Sequence, residues 1–81
     1  MVTKKEVEGT WDRASKARGR NPSSWRRDEM GNLIRKASYG TEGEYGWEVD
    51  HRNPVSKGGS DDPRNLRALQ TEANKRKSDK T

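Results

Sequence analysis

Apolar residues are sparse along this chain, and the spacing between them changes with position. Val7, Trp11 and Ala14 recur at i, i+4 and i+7, one stripe of a helix, which predicts a helix over residues 3–14. Thr3 followed three residues later by Glu6 has the pattern of a capping box at its start, and Gly9 weakens its middle. Asn21-Pro22-Ser23-Ser24 is a turn signal. Beyond it, Trp25 to Asp28 and Leu33 to Tyr39 predict two strands joined through residues 29–32 as a hairpin. A loop with three glycines, residues 40–46, leads to a short strand over 47–49, in which Trp47 and Val49 share one face and Glu48 takes the other. Residues 52–64 then form a long loop holding Pro54, Gly58-Gly59 and Pro63, with the glycine pair read as turn geometry. A second short strand over 65–69 carries Leu66 as its inward anchor, and a helix follows over 71–77 with Gln70 or Thr71 near its cap. The fold class expected is α+β in one small domain. Residues 1–46 supply a helix, a basic arm and a hairpin, and residues 47–81 supply strand, long loop, strand and helix. A loop of this length in so small a domain is uncommon unless it is functional.

Composition sharpens this reading. Leu, Ile, Val and Phe together number eight of 81 residues, a share that often marks disorder. Against disorder stand a net charge of only +5 and three tryptophans, large enough to be read as core rather than as stacking platforms. An ordered domain with a thin core is expected. There is no cysteine and a single histidine, which excludes a disulfide framework and a Cys- or multi-His zinc site within these residues. No apolar run reaches the length of a membrane span, so the expectation is a cytoplasmic protein with no membrane partner. A pI near 9.8 makes nucleic acid the leading partner class. Six basic residues and no acid lie between Arg13 and Arg27. This stretch is either a solvated linker or a phosphate-contacting arm, and Arg18, Arg20, Arg26 and Arg27 are the candidates for contact.

Candidate chemistry gathers after Trp47. His51 directly follows a carboxylate, Asp50, at a strand end, and the amides Asn65 and Asn74 come later. One carboxylate and one amide oxygen suit a hard divalent cation that keeps waters and recruits phosphate oxygens to complete its shell. Lys75, Arg76 and Lys77 flank the second amide and are candidates for phosphate contact, although cations at a helix end are favourable in any case. Phosphodiester hydrolysis needs such a base, such positive charge and such an ion.

The segment WEVDHRNPVSKGGSDDPRNLRALQTEANKRKSDK, residues 47–80, resembles the HNH (ββα-metal) endonuclease motif in Asp50-His51, Pro54, Gly58-Gly59, Asn65-Leu66, Leu69, Asn74 and Lys77. The ending NKRKSD is similar to the same segment in the HNH domain of RNA-guided CRISPR nucleases. The upstream Trp25-Arg26-Arg27-Asp28, Gly31-Asn32 and Tyr39-Gly40 resemble, less specifically, the hairpin of small stand-alone members. The resemblance implies that His51 is the general base, that Asp50 and Asn74 bind the metal, and that Asn65 ties the long loop and helps orient the base. Asn74 stands where the family more often has His, which makes this an HNN variant without zinc-binding cysteines and favours Mg²⁺ or Mn²⁺. The function implied is that of a DNA endonuclease or nickase leaving 5′-phosphate and 3′-hydroxyl ends, monomeric or weakly dimeric, with no small-molecule cofactor. The alternatives are an RNA-cutting nuclease and a non-catalytic DNA-binding module that keeps the fold. Glu48 is left out of the metal set because alternation turns it away from the Trp47 and Val49 face. Alternation also separates Asp50 from His51, so that they can serve one site only if the chain bends there or if phosphate sits between them.

Overall fold

A computed structural model describes the backbone of residues 2–79 and the side chains as far as Lys75. Helix α1 spans Lys4–Arg13 and begins with the full capping box: Thr3 accepts from the Glu6 N–H, and the Glu6 carboxylate accepts from the Thr3 N–H. Its apolar stripe faces inward, with Trp11 buried and Val7 and Ala14 packed against the core.

The basic stretch after α1 is part of the fold. Strand β1 (Ser15–Lys16) pairs antiparallel with β2 (Trp25–Arg27), and β2 pairs antiparallel with β3 (Leu33–Arg35). Between β1 and β2 in sequence, Ala17 is buried, and the Asn21 turn closes as expected, its carbonyl accepting from the Ser24 and Trp25 N–H groups. The second strand of the hairpin ends earlier than its residue types predict. The Lys36 N–H still meets the Ser24 carbonyl in register, but residues Lys36–Ser38 then wind into a 3₁₀ turn, and Tyr39 is thereby set against Trp47 at 4.9 Å between ring centroids.

Strands β4 (Trp47–His51) and β5 (Leu66–Gln70) form a second, two-stranded antiparallel sheet with a continuous register from Trp47↔Gln70 to His51↔Leu66. Helix α2 (Thr71–Asp79) follows β5 without a break. The core lies where α1 meets this sheet: Trp11, Ile34, Trp47 and Ala68 are all buried, and the Trp11 and Trp47 rings are 5.2 Å apart. Trp25 departs from the expectation of three core tryptophans. It is only half-buried, flanked by the Arg20 and Arg35 guanidinium groups with Tyr45 edge-on. The thin apolar supply fills one core, and the third indole is stabilised instead by cation–π contacts at the surface.

Asp28 joins the two sheets. It is buried, and its carboxylate accepts from the Met30 and Asn32 N–H groups, the Asn32 side-chain amide and the Gln70 N–H of β5. A buried carboxylate is tolerated only when hydrogen-bonded in this way. Among the described residues no helix is long and apolar enough to cross a membrane.

Candidate metal and phosphodiester site

The site region is built on the far end of the β4–β5 ladder. Strand β4 is two residues longer than the sequence pattern predicts, so Asp50 and His51 belong to the strand, opposite Arg67 and Leu66. The ladder closes beyond them with the Arg52 N–H donating to the Asn65 carbonyl. No bulge brings the two side chains to one face. They leave opposite faces, and the remaining way for them to meet one reactant is for it to lie at the strand end between them.

Asn65 organises the loop between the two strands. Its Oδ1 accepts from the Asn53 N–H at 2.8 Å, and its Nδ2 donates to the carbonyls of Asn53 and Ser60 at 3.1 and 2.6 Å. One side chain thus clamps both limbs of the loop. Gly58 turns the chain with φ of 88°, and Gly59 sits so close that a Cβ there would lie 1.7 Å from the Asn53 carbonyl oxygen. Any other residue at position 59 would push the loop apart.

This clamping sets Asp61 beside the histidine. His51 Nε2 lies 2.7 Å from Asp61 Oδ1, with the imidazole largely covered and the carboxylate about half exposed. The His51 hydrogen bond holds the Asp61 carboxyl below the usual carboxylate range, with partial desolvation working the other way. Nothing in the pattern of apolar positions marks Asp61. The only signal is its place in an acidic pair, Asp61-Asp62, within the long loop. Asp62 serves that loop differently, by accepting from the Arg64 N–H and guanidinium, and it too is held low, chiefly by the Arg64 side chain.

On the other face of β4 the Asp50 carboxylate accepts from Arg67 Nε at 2.8 Å. Arg67 also reaches Glu29 at 3.3 Å, and Arg52 pairs with the same Glu29. Helix α2 brings Asn74 to this region, where its side-chain amide hydrogen-bonds Glu48. Glu48 and Asp50 alternate on one strand and share a face. The alternation that set Glu48 apart from Trp47 and Val49 therefore groups it with Asp50 and Asn74. Among the described residues no three of His, Cys, Asp and Glu converge as a ready metal cluster. The donor set on this face is oxygen-only: two carboxylates and one amide. Such donors fit a hard cation that takes the rest of its shell from water and phosphate, and they do not fit a closed zinc centre.

The candidate nucleic-acid contacts divide. Arg26 is committed to the fold: its guanidinium donates to the carbonyls of Pro22, Asp12 and Ala14 and lies over the Trp11 ring. Arg27 donates to the Gly31 carbonyl within its hairpin, and Arg20 covers Trp25. Arg18 is exposed beside a turn, and Lys75 pairs with Glu42, which lowers the Glu42 pKa. Arg76 and Lys77 lie outside the described side chains.

A family model described as HNH endonuclease matches residues 37–80, more than half of the chain, and covers both strands of the ladder, the clamped loop and α2. Searches of curated proteins and of solved structures returned no significant match. That match, over more than half of the chain and across the whole β4–loop–β5–α2 unit, places the chain in the HNH endonuclease family.

Proposed function

We propose that the protein hydrolyses phosphodiester bonds in DNA with the help of a divalent cation, Mg²⁺ or Mn²⁺. The observation that carries this reading is the end of β4. There a carboxylate and an imidazole are neighbours on a rigid ladder, the imidazole is held by Asp61, and the carboxylate lies on the face that α2 supplies with Asn74.

The chemistry follows from these groups. Asp61 accepts a hydrogen bond from the Nε2–H of His51, which keeps that proton on Nε2 and leaves the Nδ1 lone pair to take a proton from water. Water deprotonated at that nitrogen attacks phosphorus as the bond to the 3′ oxygen breaks, and solvent protonates the leaving oxygen. The products carry 5′-phosphate and 3′-hydroxyl ends. Asp50 and Asn74 Oδ1 would hold the cation, the amide presenting its oxygen after half a turn about its terminal bond. When bound, the cation offsets charge developing on the phosphate oxygens. Asn65 holds the loop, and through it Asp61, so it acts on the base indirectly. One such site cuts one strand, so nicking is the elementary activity.

Supercoiled plasmid incubated with Mg²⁺ or Mn²⁺ tests the proposal. The expected result is conversion to the nicked form, abolished by EDTA. Asp50→Ala and Asn74→Ala should each lose metal-dependent nicking with the fold intact, and Asn74→His should keep activity with preference moved toward softer transition metals. If Asn74→Ala nicks as well as the parent, this ligand set is wrong. Binding without nicking under every metal would instead favour a non-catalytic DNA-binding module.

A further inference from the structure

Beside the Asp50 face lies a cavity of about 120 Å³ whose walls carry four arginines: Arg13, Arg27, Arg52 and Arg67. They come from α1, β2, the start of the long loop and β5, so the tertiary fold alone assembles them. Two acids face the same space. Asp28 is buried and fully engaged by four hydrogen bonds, so it has no capacity left for the arginines. Glu29 is different. It sits at the start of the hairpin turn, and its two oxygens are gripped by Arg52 in a fork, with Arg67 Nη1 adding to one of them at 3.3 Å.

This arrangement is weak as a structural device. Glu29 is a third exposed and Arg52 about half exposed, and ion pairs so placed contribute little to stability. The Arg52 and Arg67 guanidinium groups, brought to one carboxylate, also repel one another. As an anion site the same arrangement is strong. Two oxygens held by a planar fork is the geometry by which arginine takes carboxylate and phosphate alike. Arg67 spans the two regions, with Nε on Asp50 and Nη1 on Glu29, so an anion in the cavity lies one guanidinium away from the proposed metal ligand.

We infer that the arginine cleft binds a non-scissile phosphate of the DNA strand being cut, and that Glu29 occupies it as an internal competitor until the strand arrives. The hairpin turn then acts as a built-in phosphate mimic. It keeps Arg52 and Arg67 preorganised, and it raises the threshold for binding so that weak, passing anions do not displace it. The inference rests on the nuclease reading, but it is tested by binding rather than cleavage.

Binding of a duplex DNA oligonucleotide is measured in EDTA, where no cutting intrudes, across a salt series. Glu29→Gln should tighten binding about threefold to tenfold, since the competing ion pairs are of modest strength. Glu29→Asp keeps the charge but shortens the reach, and should tighten binding by a smaller factor. Arg52→Ala should weaken binding and flatten the slope of log K against log salt by about one unit. In the Arg52→Ala background, Glu29→Gln should tighten binding no more than the surface control Glu44→Gln does. Thermal melts check that each variant is folded. The inference is overturned if Glu29→Gln binds no more tightly than Glu44→Gln, or if its gain is undiminished without Arg52. Tightening with no nicking by the parent would leave the cleft standing and remove the catalytic reading. Nicking with no tightening would do the reverse.

Discussion

The two ends of the β4–β5 ladder are built from the same ten residues of strand and differ in almost every other respect. At the first end Trp47 is buried, packed on Trp11 and Tyr39, and the neighbouring backbone is tied in by the Thr71 N–H to the Gly46 carbonyl. At the second end Asp50 and His51 are partly exposed, and Arg67 and Asp61 hold them from opposite faces. The first end provides rigidity through area removed from water. The second uses that rigidity to keep polar groups at fixed positions near solvent. A domain with so little apolar surface cannot do both at one place, because dense packing around His51 would close the imidazole to solvent.

Substitutions at the two ends should therefore separate stability from activity. The largest effect on the fold is expected of Trp47→Ala, which removes the centre of a thin core at a cost of about 3–5 kcal/mol. That is enough to unfold much of a domain this small. His51→Ala should leave the melting temperature near that of the parent while reducing nicking by about a hundredfold or more. A melt as low as that of Trp47→Ala would show that the imidazole is part of the core and that the two ends are not divided in this way.

Asn65→Ala should fall between these extremes. It deletes the side chain that clamps Asn53 to Ser60, a loss of about 1–3 kcal/mol, and it loosens the loop that carries Asp61. A lower melting temperature with part of the nicking retained is expected. Full nicking with a lowered melt would uncouple the loop from His51.

The smallest effects concern the basic stretch. Arg26→Ala should lower the melting temperature, since the Asp12, Ala14 and Pro22 carbonyls each lose a donor, Pro22 keeping only the Trp11 indole N–H. Arg18→Ala should leave the melt unchanged and at most flatten the salt dependence of DNA binding by about one unit. The opposite pattern would mean that Arg26 faces the nucleic acid after all.

Some of this molecule is set by local rules. The α1 capping box, the Val7, Trp11 and Ala14 stripe, the Asn21 turn and the inward Leu66 are encoded within a few residues each, so spacing and residue type suffice to read them. The family is legible for a related reason: the motif's ordered residues lie within one continuous span. Alternation raises the separation of Asp50 from His51 as a question, and the unbroken register of β4 answers it.

Other features depend on which distant segments meet. Trp25 looks like Trp11 and Trp47 in sequence, yet those two fill the core, and the third indole stays at the surface between two arginines. Asp28 looks like the end of a strand, yet it carries the hydrogen bond from Gln70 that joins the sheets, 42 residues away. Arg26 looks like part of a charged arm, yet its donors are consumed by carbonyls that only the packing of α1 brings near. Asp61 reaches His51 because Asn65 closes the loop, and Glu29 meets Arg52 and Arg67 because the hairpin folds against β5. The sequence by itself determined α1, the strand–loop–strand–helix order after Trp47 and the family, since those rest on backbone conformation and short-range spacing. The tertiary structure decided which charges meet, because an ion pair between segments dozens of residues apart leaves no periodic trace in either one.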